Sequence, residues 1–232
     1  MHAHADSLLL LLADARLPVA GHTQSGTLEP ALAGGLTVDD VPFFVATRLR
    51  TVTRVEAATA VVALHRIRSG LKLDDVERAW AARTPSPAMR ATSRTQARAL
   101  LRLTSRLWPA PAPPVVELVE TPHLDRLEDR RPTSRAVALA HAADRAGLSP
   151  RSLARLVAYD DVQTVCAAAL KLVPLDPAVV TGWVFDALPL VDRLADEVAG
   201  LQLPHQIPAS GAPQIEAWAQ AHATATRRLF SA

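Results

Sequence analysis

Cysteine is nearly missing from this sequence. Cys166 is the only one in 232 residues, so no internal disulfide can form, and the usage fits a reducing compartment such as the cytoplasm. It sits in the apolar run Val165-Cys166-Ala167-Ala168, where a buried, inert thiol is expected. Aromatic residues make up only 4%, which leaves Leu, Val and Ala to fill a core and argues against a β-sandwich. Long hydrophobic runs are absent too. Leu8 to Leu12 is too short to cross a bilayer; Asp6 precedes it and no Lys or Arg does, so it does not read as a signal peptide. It reads as the buried face of a first helix. Neither sign of charge dominates: 25 Lys and Arg stand against 23 Asp and Glu, a formal net charge of +2.

The motifs of common chemistries are missing as well. There is no Gly-Lys pair, hence no phosphate-cradling P-loop. Ser25 lies in His22-Thr23-Gln24-Ser25-Gly26, without the leading glycine of a nucleophile elbow. His65, His123, His141, His205 and His222 are scattered, with no zinc-site spacing. His2, His4 and Asp6 read as an incidental terminal group, although such a trio can hold a soft divalent metal weakly. No catalytic residue, cofactor or metal centre is therefore expected, and an enzymatic reading is set aside in favour of recognition surfaces.

What is present is helical. Hydrophobic residues make up 49% and the mean hydropathy is +0.12, enough for a packed core. Ser86-Pro87, Ser149-Pro150 and Asp176-Pro177 each pair an N-capping side chain with a proline at the first helical position. Gly34-Gly35, Gly70, Gly147 and Gly200 follow helical patterns, as left-handed C-terminal glycines do. Phe44, Leu49, Val52, Val55, Ala58, Val62 and Ile67 share one broad side of a long third helix capped by Thr37, with Asp39 and Asp40 in its first turn. Further helices are predicted at about 73–82, 87–107, 133–146, 150–171, 177–199 and 213–229. No alternating strand pattern occurs. The fold class is all-α, a single domain over 1–232 with about eight to ten helices, a Pro-rich connection at 108–114 and a Pro-containing loop at 203–213.

Two charged features stand out. Arg90, Arg94, Arg98, Arg102 and Arg106 recur every four residues, and no acid occurs between Glu77 and Glu117. A solvated face, or pairing with acids of other helices, explains such a ridge; an acidic protein partner is the leading functional alternative and a phosphate backbone the lesser one. The small net charge and the lack of interleaved aromatics disfavour nucleic acid. Lys171 falls in the last turn of a predicted helix, where the dipole favours a cation that a partner can also read. Asp39-Asp40, Asp74-Asp75 and Asp160-Asp161 read as dipole-capping or surface carboxylates.

Four segments in order resemble the UreF family of urease accessory proteins. Leu17, Pro18, Gly21, Ser25, Leu28 and Glu29 match its opening signature. Pro85 to Arg94 is similar to its central E-L-R-x-A-S helix. Gly147-Leu148-Ser149-Pro150, followed by Lys171-Leu172-Val173-Pro174-Leu175, looks like its G-L-S-P start and R-L-x-P-L-G stretch. Thr226 to Ser231 resembles its R-L-F-R-S tail. Ala20, His22, Thr27, Lys171 and Asp176 depart from the pattern, as in a divergent, actinobacterial-like branch.

The resemblance implies an all-helical, non-enzymatic factor that binds the accessory protein UreD (UreH) and recruits the GTPase UreG. Through that complex it promotes nickel insertion into apo-urease, with a homodimer the expected state and no membrane involved. The partner-binding residues it points to are Leu17, Pro18, Gly21, Ser25, Glu29, Arg90, Arg94, Lys171, Arg227, Arg228, Leu229 and Phe230. A basic helical nucleic-acid-binding regulator using the arginine ridge is the alternative.

Overall fold

The computed structural model describes residues 4–14, 17, 23–109, 133–226 and 229–230. Among them are ten α-helices and no strand: α1 (Ala5–Leu12), α2 (Leu28–Ala33), α3 (Val41–Arg50), α4 (Val52–Arg68), α5 (Asp74–Arg83), α6 (Pro87–Leu107), α7 (Arg135–Arg145), α8 (Pro150–Leu172), α9 (Pro177–Val198) and α10 (Pro213–Ala223). Short 3-10 turns at Val38–Asp40 and Pro204–Gln206 introduce α3 and follow α9. No described helix is long and apolar enough to cross a membrane.

Local chemistry sets the helix starts. Ser86 Oγ accepts the N–H of Met89 at 3.3 Å, Ser149 Oγ that of Ser152 at 3.0 Å, and Asp176 Oδ1 that of Ala178 at 2.8 Å. Each side chain satisfies a donor that the first turn leaves orphaned, and the proline after it has none to satisfy. Thr37 and Asp40 form a reciprocal capping box, Thr37 N–H to Asp40 Oδ2 at 3.0 Å. Gly70 and Gly147 end α4 and α7 at φ +66° and +69°. Gly200, predicted to do the same, follows α9 without a positive φ.

The predicted long third helix is two helices. Thr51, at φ −122° and ψ −99°, breaks it, and its hydroxyl donates to the Thr47 carbonyl at 2.7 Å, a local bond that competes with helix continuation. The break turns α4 into the centre while α3 packs against α9 and α8. Residues 57–64 of α4 are all buried, because the helix lies among α3, α5, α7, α8 and α9. Ala57, Ala58, Ala60 and Ala63, with Ala136, Ala138, Ala140, Ala142 and Ala143 of α7, allow the α4 and α7 backbones to approach closely. Wedging Leu64, Leu153 or Trp80 among them contributes about 1.5–3 kcal/mol each for the aliphatic side chains. Cys166 is buried in α8, and burial, with Asp161 nearby, pushes its thiol up to about 12, which leaves it inert at neutral pH.

The last helix is shorter than predicted. α10 stops at Ala223, and the chain turns back so that Leu229 and Phe230 meet the start of α2. Trp108 caps the end of α6, while most of the Pro-rich stretch, 110–114, lies outside the described residues.

Candidate functional site

The described end of the opening signature, Ser25 to Leu28, makes a tight turn against α8. Gly26 and Thr27 take successive left-handed conformations, φ +57° and +65°. A Cβ on Gly26 would lie 2.8 Å from Val165 Cγ2, so the loop fits only with glycine there. Thr27 stands where the family pattern has glycine, and its β-branched side chain is strained by that φ. Its hydroxyl offsets the strain: it donates to the Gly26 carbonyl at 2.5 Å and accepts from Arg48 Nη1 at 3.1 Å. Ser25 is fully buried, and its carbonyl accepts the Leu28 N–H at 3.1 Å, which starts α2.

This geometry puts Glu29 in the first turn of α2, where it grips the tail. Glu29 Oε1 accepts the N–H of Leu229 at 2.6 Å, and Oε2 that of Phe230 at 2.9 Å. His222 Nε2 lies 3.2 Å from the Phe230 carbonyl and 3.6 Å from Glu29 Oε2. Phe230 is buried, and Lys171 Nζ, at the end of α8, sits 5.3 Å from its ring centroid, within cation–π range. Leu229 remains 64% exposed beside them, an apolar side chain presented to solvent.

Four residues singled out in the sequence thus converge in one clamp: Glu29, Lys171, Leu229 and Phe230. Ser25 supports the loop from beneath. Leu17 donates its N–H to the Asp14 carbonyl at 3.0 Å, after α1. Pro18, Gly21, Arg227 and Arg228 lie outside the described residues. Arg90 and Arg94 are elsewhere, on α6. Arg90 Nη1 donates to the carbonyls of Thr84 at 2.6 Å and Pro85 at 2.8 Å, closing the turn after α5. Arg94 Nε is buried without a hydrogen-bond partner. Arg98, Arg102 and Arg106 are exposed, and none of the five forms an ion pair among the described residues.

Beside the clamp lies a cleft of about 370 Å³ with a mostly apolar wall that carries several charged side chains, bounded by the loop before α2 and by α3, α4, α6, α7, α8 and α10. Asp160 and Asp161 line it, a correction to their reading as surface or dipole-capping groups: they sit mid-way along α8 and face inward. Arg48 holds Asp161 bidentately, Nε to Oδ2 at 3.0 Å and Nη2 to Oδ1 at 2.6 Å, and the Thr53 hydroxyl adds a bond at 2.7 Å. Burial pushes the Asp161 carboxyl up, but the Arg48 charge and hydrogen bonds, Thr53 and Arg135 outweigh it and hold it below the usual carboxylate range. Arg135 donates to Asp160 at 2.7 Å. Glu56 accepts the Trp80 indole N–H at 2.5 Å, and burial pushes its carboxyl up. Sequence reasoning missed these groups. Arg48 and Asp161 are 113 residues apart, and only an arginine on the apolar side of a helix hinted at a buried partner. No group of three or more His, Cys, Asp or Glu among the described residues is placed to hold a metal ion.

These features define a class: an all-α protein in which four of the singled-out residues, from distant parts of the sequence, meet at the surface with a charged cleft alongside. Comparison with known proteins places it more closely. The UreF family model matches residues 37–188, more than half of the chain. The chain is 36% identical over 227 residues to the urease accessory protein UreF of Mycobacterium bovis, with 97% of each chain covered. The Mycobacterium tuberculosis protein of the same name is 35% identical over 227 residues, again with 97% of each covered. That of Mycolicibacterium vanbaalenii is 36% identical over 226 residues, 96% of this chain and 97% of the relative. The chain belongs to the UreF family of urease accessory proteins.

Proposed function

We propose that this chain is a cytoplasmic, non-enzymatic urease maturation factor. It binds UreD (UreH), recruits the GTPase UreG and, through that complex, promotes nickel insertion into apo-urease. The observation that supports this most directly is the clamp. Residues from the opening signature, the end of α8 and the tail, chosen as partner-binding candidates, lie against one another in space. An exposed Leu229 beside a cation held at a helix end is the composition of an interface anchor with a polar neighbour. Arg227 and Arg228, adjacent in the chain, add charge to that anchor. The exposed Arg98, Arg102 and Arg106 offer a separate acid-binding face on α6, whose start Arg90 fixes by bonding the Thr84 and Pro85 carbonyls; Arg94 lies on the same helix.

Co-purification of the full chain with the cognate UreD and UreG tests the reading. Capture of both, weakened by Leu229→Asp, is the expected result. Deleting the protein from its host should lower urease activity, with partial recovery in excess nickel. No association with either partner, together with unaltered urease activity in the deletion strain, would end it. Mass measurement of the purified chain, alone and with UreD, tests the homodimer.

A further inference from the structure

The cleft beside the clamp carries an imbalance of charged side chains on a mostly apolar wall. Among its lining residues three carboxyl groups, Glu56, Asp160 and Asp161, stand against two guanidinium groups, Arg48 and Arg135. Asp161 is taken by Arg48 and Thr53, and Asp160 by Arg135. Glu56 is the carboxyl left over. One of its oxygens accepts from Trp80, and the other has no hydrogen-bond partner among the described residues. Desolvation disfavours its charge, and although Trp80 and Arg135 act the other way, the balance is a raised carboxyl that lacks a counter-ion of its own. A cation delivered to that face would supply what the fold withholds.

The rest of the wall selects the kind of cation. The described residues offer no metal-binding group, so a bare metal ion finds no ligand set. Val52, Val157, Ala88, Met89 and Ala91 supply apolar surface against which hydrocarbon can lie. The hydroxyl of Thr92 and the amide of Gln96 can accept further N–H groups. The volume sits at the small end of the range for ligand pockets, about 300–1,000 Å³.

We propose that the cleft binds an organic cation, an ammonium or guanidinium group on a short aliphatic stem, with Glu56 as its counter-ion. The charged head lies between Glu56 and Asp160, and the stem runs along Val52, Val157 and Met89. Free amines carry this chemistry, and so do Lys and Arg side chains of a docking protein. The inference does not depend on the urease reading, since it rests on the cleft alone.

Titration of the full chain with n-butylammonium and n-butylguanidinium, followed by calorimetry and by amide NMR shifts at Ala88, Ala91 and Val157, tests it. n-Butanol and butyrate serve as neutral and anionic controls. Both cations are expected to saturate the site and both controls to leave it unmoved. Glu56→Gln keeps an oxygen for Trp80 but removes the charge, and should weaken cation binding about tenfold or more. Met89→Trp fills the cleft from α6 without touching Glu56 and should abolish the response, which keeps the test decisive if the Gln variant folds poorly. The peptide Gly-Lys-Gly separates the sources: tighter binding than butylammonium assigns a protein side chain, weaker binding a free amine. Equal binding of butanol, unaltered affinity in either variant, or no response to either cation overturns the proposal.

Discussion

Replacing Glu29 with alanine should release the tail while leaving the core intact. Its two carboxylate oxygens accept the backbone N–H groups of Leu229 and Phe230 at 2.6 and 2.9 Å. Hydrogen bonds to a charged acceptor contribute about 1.5–3 kcal/mol each, and the lower value suits a clamp near solvent, where the Glu29 side chain is 17% exposed. Two such bonds come to about 3 kcal/mol, roughly a hundredfold in the opening equilibrium at 1.4 kcal/mol per factor of ten. Hydrogen exchange reads this directly: the Leu229 and Phe230 amides should exchange about a hundredfold faster in Glu29→Ala, while those of Val61 and Val62 in α4 hold their protection. Glu29→Gln should fall in between, because it keeps one acceptor and turns an amide N–H toward the other donor. Under the proposed function, capture of UreD should weaken in the same order. Unchanged exchange at Leu229 and Phe230 would refute the clamp. Equal acceleration in α4 would show that Glu29 serves global stability instead.

Gly26→Ala should destabilise the fold by about 2–5 kcal/mol, from roughly 1–2 for a left-handed alanine and 1–3 for the clash with Val165. Gly182→Ala in α9, where a Cβ meets nothing within 4 Å, should stabilise by about 0.5–1 kcal/mol; a thermal melt in which the two alanines behave alike contradicts both. Arg48→Met leaves Asp161 charged, buried and unpaired, at a cost of about 3–5 kcal/mol in denaturant unfolding, whereas an effect under about 1 kcal/mol would mean that water already screens the pair. Glu56 has a carboxyl raised in the fold, so its contribution is present at acid pH and lost as pH rises through the folded value. Glu56→Gln should therefore melt higher than the parent at neutral pH, with the gap closing on acidification; a gap that widens in acid reverses the sign and sinks the assignment. The depressed Asp161 works the opposite way: its stabilisation holds above the unfolded carboxylate value and fades as pH falls through the folded one. Asp161→Asn should accordingly destabilise most at neutral pH, a loss that urea titration at two pH values resolves.

Helix starts were readable because they are local. Ser86-Pro87, Ser149-Pro150 and Asp176-Pro177 each solve a problem of unsatisfied donors within four residues, and all three stand where α6, α8 and α9 begin. The division of α3 from α4 was not readable. Threonine is an ordinary helix residue, and Thr51 breaks the helix because α3 packs on α9 while α4 enters the centre. α10 ends six residues short of its predicted limit at 229 because the tail bonds to Glu29, a partner 200 residues away. The same distance hid the cleft. Asp160 and Asp161 form an exposed-looking acidic pair until α3 and α7 bring Arg48 and Arg135 against them. The clamp was half legible: resemblance picked out Glu29, Lys171, Leu229 and Phe230, but His222, an isolated histidine in the sequence, became visible only when the chain turned back on it.

The Glu29–Leu229 contact closes across 200 residues, whereas the helices it joins are held by packing that needs neither partner. Loop-closure entropy makes such a link among the last to form as a newly made chain folds. A fragment cut short at Thr226 would keep the sequence of every described helix but lose the clamp, and with it the buried Phe230. The surface around Leu229 is therefore assembled only when Glu29 and the segment 229–230, far apart in the sequence, have both found their places.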